Sequence, residues 1–175
     1  TIAEDGRDAI VEARRAPGQI ATLVLPADTA WGDGSGPVAT PLPTGPALVS
    51  ADAIRRILPL LSKGRDTMLL IGGMGLRAKA LEDASRIAEK TGCRLMAPGQ
   101  NARVERGAGR VSIARTPYPV DQAMEVFKDV RHLVLIGAVA PVAFFAYPGK
   151  PSATTPPTCE IVTLAEPHED VAGAL

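Results

Sequence analysis

The sequence has few of the residues that announce chemistry or a special environment. It has two cysteines in 175 residues, Cys93 and Cys159, and a chain of this length buries roughly 70% of its unfolded surface without covalent help. Both thiols therefore read as small buried apolar groups rather than as a bridge. Only two histidines occur. His132 opens an apolar run and His168 sits in a Pro-Glu-rich loop, neither with Cys, Asp or Glu at metal-ligand spacing, so no metal site is expected. Charge of either sign is not in excess, 19 Lys and Arg balancing 19 Asp and Glu, which leaves no basic footprint for nucleic acid or an anionic membrane. No apolar run reaches the length of a membrane span and the N-terminus has no signal-peptide pattern, so a cytoplasmic protein is expected. The Gly-x-Ser-x-Gly of a nucleophile elbow is missing. The adjacent carboxylates Glu82-Asp83 and Glu169-Asp170 point in different directions on a helix, and read as helix surface and helix start. No catalytic residue is expected.

What is present is a pattern of helices and strands in two parts. Thr1-Ile2-Ala3-Glu4 is a capping box that opens a helix to about Arg15, stopped by Pro17-Gly18. The unalternating apolar run Gln19 to Leu25 predicts a strand covered on both faces. Between Ala27 and Ser50 the density of Gly and Pro rises, which predicts a linker. Beyond it helices are expected at Ala51 to Leu61, Leu76 to Thr91 and Val120 to Val130. Strands are expected at Thr67 to Ile71, Cys93 to Met96, Arg131 to Gly137 and Glu160 to Leu164, with a further short one at Val111 to Ile113. Ile54, Ile57, Leu58 and Leu61 form the expected inward face of the first of these helices, and Gly92 caps the second. Alternation of this kind gives βαβ units, hence an α/β class: a three-layer Rossmann-like domain with a parallel sheet, preceded by a helix-strand remnant of another α/β domain. The Thr at position 1 and the helix start at Glu169 to Leu175 suggest a segment of a longer chain.

The best candidate site is Gly73-Met74-Gly75-Leu76-Arg77-Ala78, a G-x-G-x-x-A turn between a predicted strand and a predicted helix, where backbone amides and a helix N-terminus can meet a pyrophosphate. The acidic residue that such a site uses for a ribose, about 20 positions on, is missing between Leu95 and Gln100. The glycines are equally explained by a turn that needs small residues. Gly149-Lys150-Pro151-Ser152 is no P-loop, because Pro follows the Lys and Phe144 stands where a glycine is needed.

The stretch Pro17 to Trp31, with its Leu23-Val24-Leu25-Pro26-Ala27-Asp28-Thr29-Ala30-Trp31 ending, resembles the last helix and strand of the pyrimidine-binding domain of thiamine diphosphate-dependent enzymes. Arg115 to Ala123 and Val134 to Ser152 resemble the acetolactate synthase large-subunit-like branch of that family. The resemblance covers essentially the whole chain but only the middle of such an enzyme. It implies that residues 1–33 end a pyrimidine-binding domain, 34–50 form a linker, and 51–175 are a central domain of about six parallel strands, cut at its C-terminus. It further implies partners in the missing pyrimidine- and diphosphate-binding domains of the same chain, a parent that is a homodimer or homotetramer, and thiamine diphosphate with Mg²⁺ in that parent. The segment itself would need no cofactor and be inactive.

Gly32-Asp33-Gly34 resembles the start of the family's Mg²⁺ motif, but no Asn follows at Ile57 to Ser62, so it reads as a flexible turn. Some relatives hold FAD or ADP in the central domain through a Gly-Gly turn and a later Gly-Ala-Arg turn. Gly72, Gly73, Gly75 and Gly137 are the candidate nucleotide-binding residues here. Gly137-Ala138-Val139 has Val for Arg, and Pro141 to Phe145 replaces the Arg-Phe-Asp-Asp-Arg run of FAD-containing members, which argues against FAD. The alternative from the residues alone is a free-standing module that binds FAD, ADP or NAD.

Overall fold

A computed structural model describes all residues, 1–175. The chain divides into two compact units, Thr1–Pro46 and Ala47–Leu175.

In the first unit, helix α1 spans Ile2–Arg14. The expected capping box is formed: the Glu4 amide donates to the Thr1 hydroxyl and the Glu4 carboxylate accepts from the terminal amine. The expected strand at 19–25 does not form; the segment is irregular, and Ile20 is 97% and Val24 80% exposed. An isolated strand has no ladder partner, and ordering its backbone costs about 1–2 kcal/mol per residue. Its apolar side chains gain no burial to offset that cost. A short 3-10 turn at Ala27–Ala30 is the only other regular element before the second unit.

The second unit has helices on both faces of a parallel sheet. Helix α2 (Ala51–Leu61) is followed by β1 (Thr67–Ile71), α3 (Ala78–Thr91), β2 (Arg94–Ala97), the two-residue β3 (Ala114–Arg115), α4 (Val120–Phe127), β4 (His132–Ile136) and β5 (Glu160–Ala165). All neighbours are parallel and the order is β3-β2-β1-β4-β5, a Rossmann-like arrangement with five strands where about six were expected. The sheet grows from β1 towards β3 on one side and restarts with β4 on the other.

Alternate residues of the central strands divide the core in two. Leu69, Ile71, Val134 and Ile136 face α2 and α3, meeting Ile57, Leu61, Leu81 and Ala84. Met68, Leu70, Leu133 and Leu135 face the other way, against Phe127 of α4 and Val130 just beyond it. Every residue of β1 is buried, as an unalternating apolar run requires. Helix α2 sits with Ala53, Ile57 and Leu61 inward, whereas Ile54 and Leu58 are exposed; its buried stripe is narrower than the four-residue face expected. Helix α3 ends where expected, at Gly92, which takes the left-handed conformation (φ 77°) and donates to the Ala88 carbonyl. The third strand lies at Ala114–Arg115, not at 111–113; Val111 and Ile113 belong to the loop and pack their side chains on the core. Beyond β5 the segment to Leu175 forms turns rather than a full helix. The Asp170 side chain accepts from the Gly173 amide and the Ala174 amide donates to the Asp170 carbonyl, as in a first helical turn.

Both cysteines are free thiols, Cys93 buried and Cys159 partly so. Burial pushes both above the usual thiol range, so neither is an activated nucleophile. Phe127 is fully buried at the centre of its layer. Phe127→Ala is expected to destabilise the chain by about 3–5 kcal/mol, read from urea unfolding followed by circular dichroism.

Candidate functional site

In a sheet of this order, the strand direction of growth reverses between β1 and β4, and the crevice beyond their carboxyl ends is where open α/β sheets take ligands. All four candidate glycines stand there. Gly72 follows β1 directly, Gly73 and Gly75 lie in the 3-10 turn Gly73–Leu76, and Gly137 follows β4.

The structure brings Gly72 and Gly137 together and leaves no gap between them. The Gly72 amide donates to the Ile136 carbonyl at 2.9 Å, and the Gly137 amide to Ala165 at 2.8 Å. A Cβ on Gly72 would overlap the Gly137 carbonyl oxygen and come within 3.1 Å of its carbon. Gly72 has an ordinary extended backbone (φ −125°), so the space alone demands glycine. Gly137 needs it twice: its φ is +63°, and a Cβ would lie 2.8 Å from both Val171 methyls. Val171, 2% exposed, fills the mouth of the crevice, and its methyl would also meet a Cβ on Gly75 at 3.1 Å.

The N-terminus of α3, where a pyrophosphate would be held, is occupied from within. No side chain of the turn itself caps it. Instead Glu105, from the loop between β2 and β3, accepts from the Ala78 amide at 2.9 Å, while its own amide donates to the Leu76 carbonyl at 3.0 Å. Arg103 and Arg110 lie 2.8 and 3.7 Å from the two Glu105 oxygens. The Ala78 amide, and then the arginines, hold the Glu105 carboxyl below the usual carboxylate range. A carboxylate thus takes the place that the sequence offered to a phosphate, using the same amide and the same helix dipole. Sequence reasoning missed Glu105 because it sought an acid at the end of β2 for a ribose, and Glu105 lies eight residues beyond Ala97 in an irregular loop.

The remaining candidates behave as structure. His132 pairs with Glu160 at 2.9 Å across the first rungs of β4 and β5. Asp83 is an α3 surface acid, paired with Lys79 at 2.5 Å and with Arg86. No group of three His, Cys, Asp or Glu side chains is placed to hold a metal ion. A separate cavity of about 710 Å³ opens at the carboxyl edge on the α4 face, with Leu70 of β1 in its wall and Val139, standing where the family resemblance places an arginine, on its rim.

The scaffold is recognisable in a solved structure. An X-ray structure titled as that of "a putative thiamin diphosphate-dependent enzyme isolated from Mycobacterium smegmatis" superposes with a TM-score of 0.66 over 91% of this chain and 31% of that one, at 20% identity. In sequence, the chain is 41% identical over 160 residues to the "Putative acetolactate synthase large subunit IlvX" of Mycobacterium tuberculosis (strain ATCC 25618 / H37Rv). The acetolactate synthase-like resemblance holds. It extends over 91% of this chain but only 31% of that relative. No family model matches the chain.

Two outcomes are expected at this site. Gly72→Ala should destabilise the chain by about 1–3 kcal/mol through overpacking, whereas Gly6→Ala, in α1 with nothing within 4 Å, should stabilise its helix by roughly 0.5–1 kcal/mol; chemical unfolding checks both. Glu105→Gln should lower the melting temperature near neutral pH. Because the folded Glu105 is held below its ordinary value, its stabilisation is complete above the usual carboxylate range and fades as pH falls through the lowered value. The gap in melting temperature between the two proteins should therefore close on acidification, as melts from about pH 7 to about pH 3 would show.

Proposed function

We propose that this chain is the central domain, with the tail of the preceding domain, of a thiamine diphosphate-dependent enzyme of acetolactate synthase type. Residues 1–33 end the pyrimidine-binding domain, 34–50 are the linker and 51–175 the central domain. The observation that carries this reading is the 41% identity that runs through nearly all of this chain yet spans less than a third of the relative. The irregular apolar stretch at 19–25 supports it, since those residues lack the sheet that their pattern calls for. The parent would decarboxylate a 2-keto acid such as pyruvate and either protonate the product carbanion or add it to a second carbonyl. It would do so as a cytoplasmic homodimer or homotetramer with Mg²⁺.

The residues of this chain do not fit the thiamine cofactor or its metal. Asp33 lies in an exposed irregular segment, and no set of three ligating side chains converges anywhere. No catalytic step is assigned to these residues; their role is to pack as a scaffold between the cofactor domains. The close approach of Gly72 and Gly137 and the Glu105-filled helix end favour a lapsed nucleotide site over a free-standing FAD, ADP or NAD module.

The reading is tested on the coding sequence to either side and on activity. A Glu-bearing pyrimidine-binding domain upstream and a Gly-Asp-Gly motif with an Asn pair downstream are expected. The longer protein should consume pyruvate in a thiamine-dependent manner, and residues 1–175 alone should not. Stop codons close to both ends, or thiamine-dependent turnover by the 175-residue chain, would overturn it.

A further inference from the structure

The cavity on the α4 face differs in chemistry from the closed crevice beside it. Its walls come from the carboxyl ends of four strands: Leu70 of β1, Pro98 after β2, Arg115 of β3 with Thr116 and Tyr118 beyond it, and Val139 to Phe144 after β4. Its volume of about 710 Å³ lies in the range of pockets that enclose small molecules.

Aromatic side chains are scarce in this sequence, six in all, and four of them gather here. Tyr118 and Phe144 line the cavity with ring centroids 5.6 Å apart, and Phe145 and Tyr147 stack edge-on behind them. Tyr118 and Phe144 are each more than half exposed. They sit outside the core, Tyr118 just before α4 and Phe144 on a hairpin-like loop pinned by the Ala143 amide on the Ser152 carbonyl (2.7 Å) and by Lys150 on Asp121 (2.5 Å). Rings clustered outside the core beside an opening form the kind of contiguous apolar patch that marks a binding surface.

Arg115 is the single charged residue among the lining groups, and no acid lines the cavity. It belongs to none of the ion pairs of the chain. Thr116 is committed, its hydroxyl and amide both donating to the Ala97 carbonyl. The cavity therefore offers aromatic and aliphatic walls, the Gln100 amide and one uncompensated guanidinium, a fork suited to two carboxylate oxygens. It has one cation where a polyphosphate calls for several, and the α3 N-terminus is covered by Glu105 on the opposite face.

We propose that this cavity is a binding site for a small aromatic monocarboxylate without phosphates, its ring against Tyr118 and Phe144 and its carboxylate on Arg115. The site is independent of the thiamine reading, since it uses only residues of this chain.

Calorimetric titration of the purified 175-residue chain with phenylacetate tests it. Saturable one-site binding is expected in the range of about 0.1–1 mM. Arg115→Gln, at an exposed position in no ion pair, should leave the melting curve unchanged and weaken binding about tenfold or more. Arg115→Lys should recover part of that loss, and Tyr118→Ala should weaken binding about fivefold. Phenylacetamide, nearly isosteric but uncharged, should bind at least about tenfold more weakly than phenylacetate. No saturable heat with phenylacetate, equal binding by Arg115→Gln, or equal binding of phenylacetamide would overturn the proposal.

Discussion

The second unit is built around one close approach, that of the Gly72 and Gly137 backbones where β1 and β4 end. These two strands are the centre of the sheet, paired over five residues and covered on both faces. Side chains at the two positions would drive their ends apart, because a Cβ on Gly72 meets the Gly137 carbonyl and one on Gly137 meets Val171. With glycine at both, the ladder continues by one further amide, from Gly72 to Ile136, and the C-terminal turn settles over the gap. The crevice that the strand order creates is thereby consumed by packing.

The same geometry accounts for the separation of chemistry between the two faces. On the α2 and α3 face, the helix N-terminus attracts negative charge, and the chain supplies it with Glu105, buttressed by Arg103 and Arg110. On the α4 face no internal group plays that part, and Arg115 stands uncompensated in an aromatic-walled opening. A Rossmann-like edge can thus lose one ligand position to internal contacts and keep another, since the two lie on opposite sides of a sheet one residue layer thick.

Local pattern made most of the fold legible. Thr67 to Ile71 read as a doubly covered strand because every residue is apolar or β-branched, and it is one. Gly92 fixed the end of α3 through its cap. What the sequence hid was everything decided by distant residues. Gln19 to Leu25 has strand composition but no neighbour to pair with, so it stays irregular. Ile54 and Leu58 fit an apolar face, yet the sheet presents room for only Ala53, Ile57 and Leu61. The G-x-G-x-x-A turn was legible as a turn. Its occupant was not, because Glu105 reaches Ala78 across 27 residues of chain, and no periodicity marks a loop carboxylate as a helix cap.

The central claim, that the glycine turn is closed by internal contacts, is tested most directly by following backbone amides in ¹H–¹⁵N spectra during titration with ADP or FAD. The account predicts that the amides of Gly72, Gly73, Gly75, Ala78 and Gly137 keep their positions throughout. Saturable shifts of those amides, with release of Glu105 from the α3 N-terminus, would contradict it.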